Sequence, residues 1–97
     1  MNKCFYVCIA SDQRNQFWYL GITQQLKTRI SEHRLGFFLN ADQKTRFTKV
    51  VYFETFASLK TALMREEKLA QMKQSEREEM ITKSNPTWRD LSSDLNE

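Results

Sequence analysis

Two short apolar runs, held apart by six polar residues, constrain this chain more than any other feature. Cys4 to Ala10 (CFYVCIA) and Phe17 to Ile22 (FWYLGI) are rich in aromatic and β-branched residues. Such residues suit a pleated, partly buried surface. Between them Ser11 to Gln16 (SDQRNQ) is polar and full of turn formers. The unit reads as a β-hairpin with a six-residue connection, and Gly21 closes its second strand. A lone hairpin is marginal in water, so the remaining chain must cover it. Only 97 residues are available, which means one small domain with a thin core.

Thr23 stands where a helix N-cap belongs, ahead of a helix expected over Gln24 to Arg34. Leu26 and Ile30 give that helix a buried line at i, i+4, and Gly36 ends it. Phe37 to Arg46 has no clear period and reads as a loop. Phe47 to Phe53 (FTKVVYF) is a third strand whose mixed pattern implies burial on both faces. Ser58 caps a longer helix, Leu59 to Met72, with apolar residues at Leu59, Ala62, Leu63, Leu69 and Ala70. Ser75 and Glu78 have capping-box spacing for a third helix, which carries Met80 and Ile81 and stops at Pro86. Trp88 and Leu91 are expected to fold back on the core, and residues 92–97 read as a flexible tail after a domain spanning residues 1–91. Strands come first and helices later. That order predicts an α+β fold, a small three-stranded, mostly antiparallel sheet flanked by three helices.

With 40% hydrophobic and 28% charged residues, the composition is that of an ordinary soluble domain. No stretch approaches the roughly 20 apolar residues that span a bilayer, which argues against a membrane role. Met1-Asn2-Lys3 runs straight into the first strand with no cleavage pattern, so the expected compartment is the cytoplasm. Cys4 and Cys8, four apart on a strand, share a face but lie too far apart to bridge, and both are expected to be reduced. With His33 as the single histidine, the chain lacks the ligands of a structural zinc site. The formal charge is +3 and the pI about 9.0, which is compatible with a polyanionic partner without requiring one. Lys27, Arg29, His33 and Arg34 cluster in one segment and Lys44, Arg46 and Lys49 in the next. Solvated helix faces would produce the same clustering.

Four residues carry chemistry. Tyr19 lies beside Gly21, where a missing side chain permits close approach of a ligand. Arg29 and His33 are four apart on the first helix, and Glu66 sits on the expected inward line of the second, an anomalous place for a carboxylate. A phenol, a guanidinium, an imidazole and an acid are the inventory that phosphodiester hydrolysis uses. The acid can hold Mg²⁺, the arginine can fork onto phosphate, and the phenol and imidazole can move protons. Each also has a plain structural explanation: a core aromatic, a solvated helix face, or a carboxylate paired with an arginine.

The run FYVCIASDQRNQFWYLGIT followed by QLKTRISEH resembles the small standalone proteins of the GIY-YIG nuclease superfamily. Their second signature, Tyr-Ile-Gly, is matched by Tyr19-Leu20-Gly21, and the helix arginine and its i+4 partner by Arg29 and His33. A strand like Val50 to Glu54, an Arg-Glu pair like Arg65-Glu66, and a closing Asn85-Pro86-Thr87-Trp88-Arg89-Asp90-Leu91 follow in the same order. The likeness covers residues 5 to 91. It implies a DNA endonuclease using Mg²⁺ (or Mn²⁺), with Glu66 as metal ligand, Arg29 on the phosphate, Tyr19 beside the attacking water and His33 supporting proton transfer. Gly21, Lys27, Arg34 and Lys44 would contact nucleic acid. With no room for an added specificity domain, DNA binding is expected to be weak and backbone-directed unless a protein partner or homodimer adds surface.

The chain departs from the family in two places. Eleven residues before Tyr19, where the first signature has its tyrosine, stands Cys8. Either Tyr6, two residues away on the same strand face, supplies the phenol, or the domain binds nucleic acid or a protein without cutting. Relatives also carry Phe-Thr-x-Lys-Tyr where this chain has Ala41 to Thr45, of which Lys44 alone fits.

Overall fold

A computed structural model describes residues 4–34 and 47–95, apart from the side chains of 32–34. The elements run β1 (Phe5–Ser11), β2 (Trp18–Thr23), α1 (Leu26–Arg34), β3 (Lys49–Phe56), α2 (Leu59–Gln71), α3 (Gln74–Ser84) and a 3-10 turn (Ser92–Asp94). One sheet forms, in the order β2-β1-β3, and both pairings are antiparallel. The expected α+β class with three strands and three helices is what is found.

β1 takes the centre because nearly every residue in it is buried, on both faces. Tyr6, Cys8 and Ala10 point to one face and pack with Leu26 and Ile30 of α1 and with Leu95. Val7 and Ile9 point to the other, against Ala62 and Leu69 of α2 and Ile81 of α3. One helix therefore covers one face, and two cover the other.

Local chemistry sets the connections. In the hairpin loop the Asp12 carboxylate accepts from the Gln16 and Phe17 amides, at 2.7 and 2.9 Å. Thr23 Oγ1 accepts from the Gln25 amide at 3.0 Å, a turn that leads into α1. The helix starts at Leu26, two residues later than expected, with Gln25 rather than Thr23 at the cap position. Ser58 caps α2 through the Thr61 amide, a contact worth about 1 kcal/mol. α3 begins differently from the expected Ser75–Glu78 box. Its N-cap is Lys73, whose extended backbone follows directly on α2, and the Lys73 amide donates to Glu76 Oε1 at 3.1 Å. Ser75 and Glu78 both lie inside the helix.

The register slips between Ile9 and Ala10: Ile9 faces Tyr52 while Ala10 faces Val50, leaving Val51 as the extra residue of a β-bulge. The C-terminal segment exploits it. Asp90 Oδ1 accepts from the Val50 amide, the Leu91 amide donates to the Val50 carbonyl, and Asn85 Nδ2 donates to the Val51 carbonyl. Asn-Pro-x-Trp-x-Asp-Leu is thus a strap that satisfies the bulged edge strand and keeps it from pairing elsewhere. Trp88 folds back as expected, against Ile9, Val51 and Ile81. Residues 92–95, read from the sequence as the start of a flexible tail, form the 3-10 turn, with Ser92 and Leu95 buried. Among the described residues no helix is long and apolar enough to cross a membrane.

Candidate active site

The geometry is built around Cys8. Its register partner across the hairpin is Gly21, and Ala10 and Tyr19 pair two residues further on. Tyr19 and Gly21 share a face of β2, and the Tyr19 ring leans back across the glycine. A Cβ at Gly21 would meet Tyr19 Cε1 at 2.7 Å and the phenol oxygen at 3.0 Å. Gly21 therefore makes room for this chain's own Tyr19 ring, where the sequence suggested room for a ligand. Phe47, just past residues 35–46, holds the ring from another side with centroids 5.7 Å apart. Tyr19 is still about half exposed.

Burial pushes the Cys8 thiol up to about 12. Hydrogen bonding to the Gly21 backbone and the charge of Arg29 both pull it down, and the charge of Glu66 raises it. One sulfur thus lies within electrostatic reach of both charges. Arg29 extends from α1 on one face and Glu66 from α2 on the other, so they approach the sheet from opposite sides. At neutral pH Cys8 is an uncharged thiol. It neither abstracts protons nor adds a negative charge against a phosphate.

Glu66 lies between the fully buried Ala62 and Leu69 on α2, itself half-buried. The buried stripe is rotated from the expected one: Leu59 and Leu63 are about half exposed. Pairing of Glu66 with an arginine was the plain alternative. Instead the neighbouring Arg65 goes to Glu54, donating from Nε and Nη2 to its carboxylate at 2.9–3.1 Å, while Tyr52 also donates its hydroxyl to Glu54. Burial opposes ionisation of Glu54, yet Arg65 and Tyr52 together hold its carboxyl below the usual range. This clamp fixes α2 to β3 one residue from Glu66. Glu66 makes no hydrogen bond or ion pair with another described residue, so its oxygens keep their capacity to accept.

Of the expected catalytic residues, Tyr19 lies over Gly21 opposite Cys8, while Arg29 on α1 and Glu66 on α2 belong to helices on opposite faces of the sheet. Tyr6 packs in the same buried cluster as Cys8. It is 7% exposed, faces Thr23, and packs edge-on to Phe53 at 5.9 Å in the core under α1. The backbone of His33 and Arg34 belongs to α1, but their side chains lie outside the described residues, as does Lys44. Lys27 is exposed on α1. Among the described residues no three His, Cys, Asp or Glu side chains form a metal-binding group. A hard ion retaining most of its waters needs only one or two carboxylates, and Glu66 fits that limited demand. Sequence reasoning missed Phe47 and Glu54. The alternation of Tyr52 and Glu54 on one strand face was the available signal for the latter.

The family model of the GIY-YIG catalytic domain matches residues 2–79. The fold is similar to the solution structure of a UPF0213 protein from Bacillus halodurans, with a TM-score of 0.51 and 21% identity over 84% of this chain and 86% of that one. No curated protein matches.

Proposed function

We propose that this chain, which belongs to the GIY-YIG family, is a divalent-metal-dependent endonuclease that hydrolyses DNA phosphodiester bonds. The observation that carries the reading is the match of the GIY-YIG catalytic-domain model over residues 2–79, with Tyr19 lying over the glycine opposite Cys8.

In the proposed reaction Arg29 forks onto the non-bridging oxygens of the scissile phosphate and stabilises the charge that grows as water attacks phosphorus. Tyr19 orients that water, and Tyr19 with His33 relays its proton away as the bond to the leaving sugar oxygen breaks. Glu66 holds Mg²⁺ or Mn²⁺, which when bound supplies positive charge for the leaving oxygen. Lys27, Arg34 and Lys44 would contact the phosphates of the strand. With few cationic contacts, DNA binding is weak, directed to the backbone, and falls as salt rises.

A second reading rests on Cys8. A neutral thiol where relatives carry a phenol removes one proton-handling group, and the buried Tyr6 does not replace it from its place under α1. Under that reading the domain binds DNA or a protein without cutting. Both are tested by incubating wild type, Glu66→Ala, Arg29→Ala and Cys8→Tyr with a panel of labelled linear, flapped, branched and single-stranded DNAs plus Mg²⁺ or Mn²⁺. The primary reading expects wild-type cleavage that both alanine variants lose while keeping the fold. No wild-type cleavage, with Cys8→Tyr restoring it, favours the second reading. Cleavage that persists in Glu66→Ala rejects the metal assignment.

A further inference from the structure

Trp18 and Trp88, the chain's two tryptophans, come together far apart in sequence, with ring centroids 5.3 Å apart and planes tilted by 44°. They line an open cavity of about 310 Å³ together with Asn15, Gln74, Glu78 and Thr87. That volume is at the small end for ligand sites and suits one side chain better than a drug-sized molecule. Trp18 lies on the strand face opposite Tyr19, and the cavity's lining includes none of Tyr19, Arg29 and Glu66.

Two features mark it as more than a surface dimple. Among the described residues the non-glycine positions with positive φ are Asn15 (φ 59) and Trp88 (φ 54), and both line this cavity. Asparagine tolerates that conformation; a bulky tryptophan does so only at a cost the surrounding strap must hold in place. Furthermore, both indole N–H groups are already spent. Trp18 Nε1 donates to the Asn15 carbonyl at 3.1 Å and Trp88 Nε1 donates to Thr82 Oγ1 at 3.0 Å. What remains for a visitor is aromatic surface, the Glu78 carboxylate, and the oxygens of Gln74 and Thr87.

We infer that the cavity formed by Trp18, Trp88 and Glu78 receives the arginine side chain of a basic segment on a partner protein. A guanidinium is planar, rich in donors and attracted to indole faces, matching a site that offers π-surface and acceptors. A nucleic-acid base could also stack on tryptophan, but its phosphates would meet Glu78 and Glu79. The partner's chain has a route away from the pocket. A second open cavity, about 540 Å³ and lined by Ser75, Glu78, Glu79, Thr82 and Lys83, adjoins it through Glu78 and runs along α3. With Glu78 and Glu79 against Lys83, this aromatic face is net acidic and suited to a basic protein segment, whereas Lys27 is exposed on α1. The inference does not depend on whether the chain cuts DNA.

Because both tryptophans line the pocket, the two indole N–H signals in ¹H–¹⁵N spectra report on it directly. The probe is N-acetyl-arginine N-methylamide, compared with the uncharged citrulline analogue and with a short oligothymidylate. Saturable shifts of both indole signals are expected with the arginine probe, with binding about fivefold weaker for citrulline and about fivefold weaker in Glu78→Gln, the upper range for an exposed ion pair. Glu79→Gln changes net charge equally but lines the adjoining cavity alone, so it should bind like wild type. The inference is overturned if the arginine probe gives no saturable shift, if citrulline or Glu78→Gln matches wild-type arginine binding, if Glu79→Gln weakens binding as much as Glu78→Gln, or if the oligothymidylate moves the indoles.

Discussion

Replacing Gly21 by alanine separates the fold from the site. The new Cβ would lie 2.7 Å from Tyr19 Cε1, 3.0 Å from its hydroxyl oxygen and 3.1 Å from Cζ, too close for all three. Either the ring or the strand must yield. Tyr19 is 47% exposed, so its ring can swing outward into solvent while the ladder between Cys8 and Gly21 stays intact. The swing forfeits the ring contact with Phe47, worth about 0.5–1.5 kcal/mol. Against this, alanine lowers the chain entropy of the unfolded state and stabilises by about 0.4–1 kcal/mol. The two nearly cancel, and net stability should stay within about 1 kcal/mol of wild type. A strand forced to move would instead cost about 1–3 kcal/mol or more as overpacking. Urea denaturation measures the difference, and the nuclear Overhauser contact between the Tyr19 and Phe47 rings reports where the ring went. The expected result is near-native stability, loss of that ring contact, and cleavage reduced about 100-fold by misplacement of a reacting group. Wild-type cleavage with the ring contact retained, or destabilisation beyond about 3 kcal/mol, would refute the reasoning.

Other consequences follow from the same structure. Asn85→Ala should cost about 2–4 kcal/mol, because it strips donors from the Val51 and Arg89 carbonyls in a buried corner; thermal melts should drop by about 10–20 °C, and an unchanged melting point would mean the strap is dispensable. Glu54 is held below its ordinary carboxyl range, so its pairing with Arg65 stabilises the fold above about pH 4.3, the unfolded glutamate value. That contribution, about 1 kcal/mol after allowing for partial exposure, disappears as pH falls through the lower folded value. Acid titration of Glu54→Gln should lack this part of the loss, whereas an acid profile parallel to wild type would deny the clamp a role. With its thiol near 12 and buried, Cys8 should resist iodoacetamide at pH 8 in the native protein while Cys4 reacts, and both should react in denaturant; rapid native labelling of two thiols would contradict that environment.

Much of the scaffold is legible because its signals are local. The hairpin follows from two β-rich runs and a polar link, and α1 from Thr23 with Leu26 and Ile30. The parts that were not legible depend on partners distant in sequence. Nothing near Val51 announces a bulge, since its carbonyl is satisfied by Asn85 across the fold. On α2 the apolar positions Leu59, Ala62, Leu63, Leu69 and Ala70 allow a range of rotations, and only contact with Val7 and the Glu54–Arg65 clamp selects the one that exposes Leu59 and Leu63. Ser75 and Glu78 had the right spacing for a cap, but the short link after α2 put the helix start at Lys73. As for the site, spacing and resemblance nominated Tyr19, Arg29 and Glu66. That Tyr19 lies over the glycine opposite Cys8 is a tertiary fact. Tyr6 shows the limit of alternation: it shares a face with Cys8, yet α1 and Phe53 bury it.

The most direct test of the account is a Mn²⁺ titration followed by backbone amide signals, since paramagnetic broadening reads proximity to the ion without requiring turnover. Broadening should begin together at Glu66, Gly21 and Arg29, spare the Trp18 and Trp88 indoles, and vanish in Glu66→Ala. Broadening that survives in that variant, or that touches α2 while leaving Gly21 and Arg29 sharp, would contradict a single site shared by the two faces of the sheet.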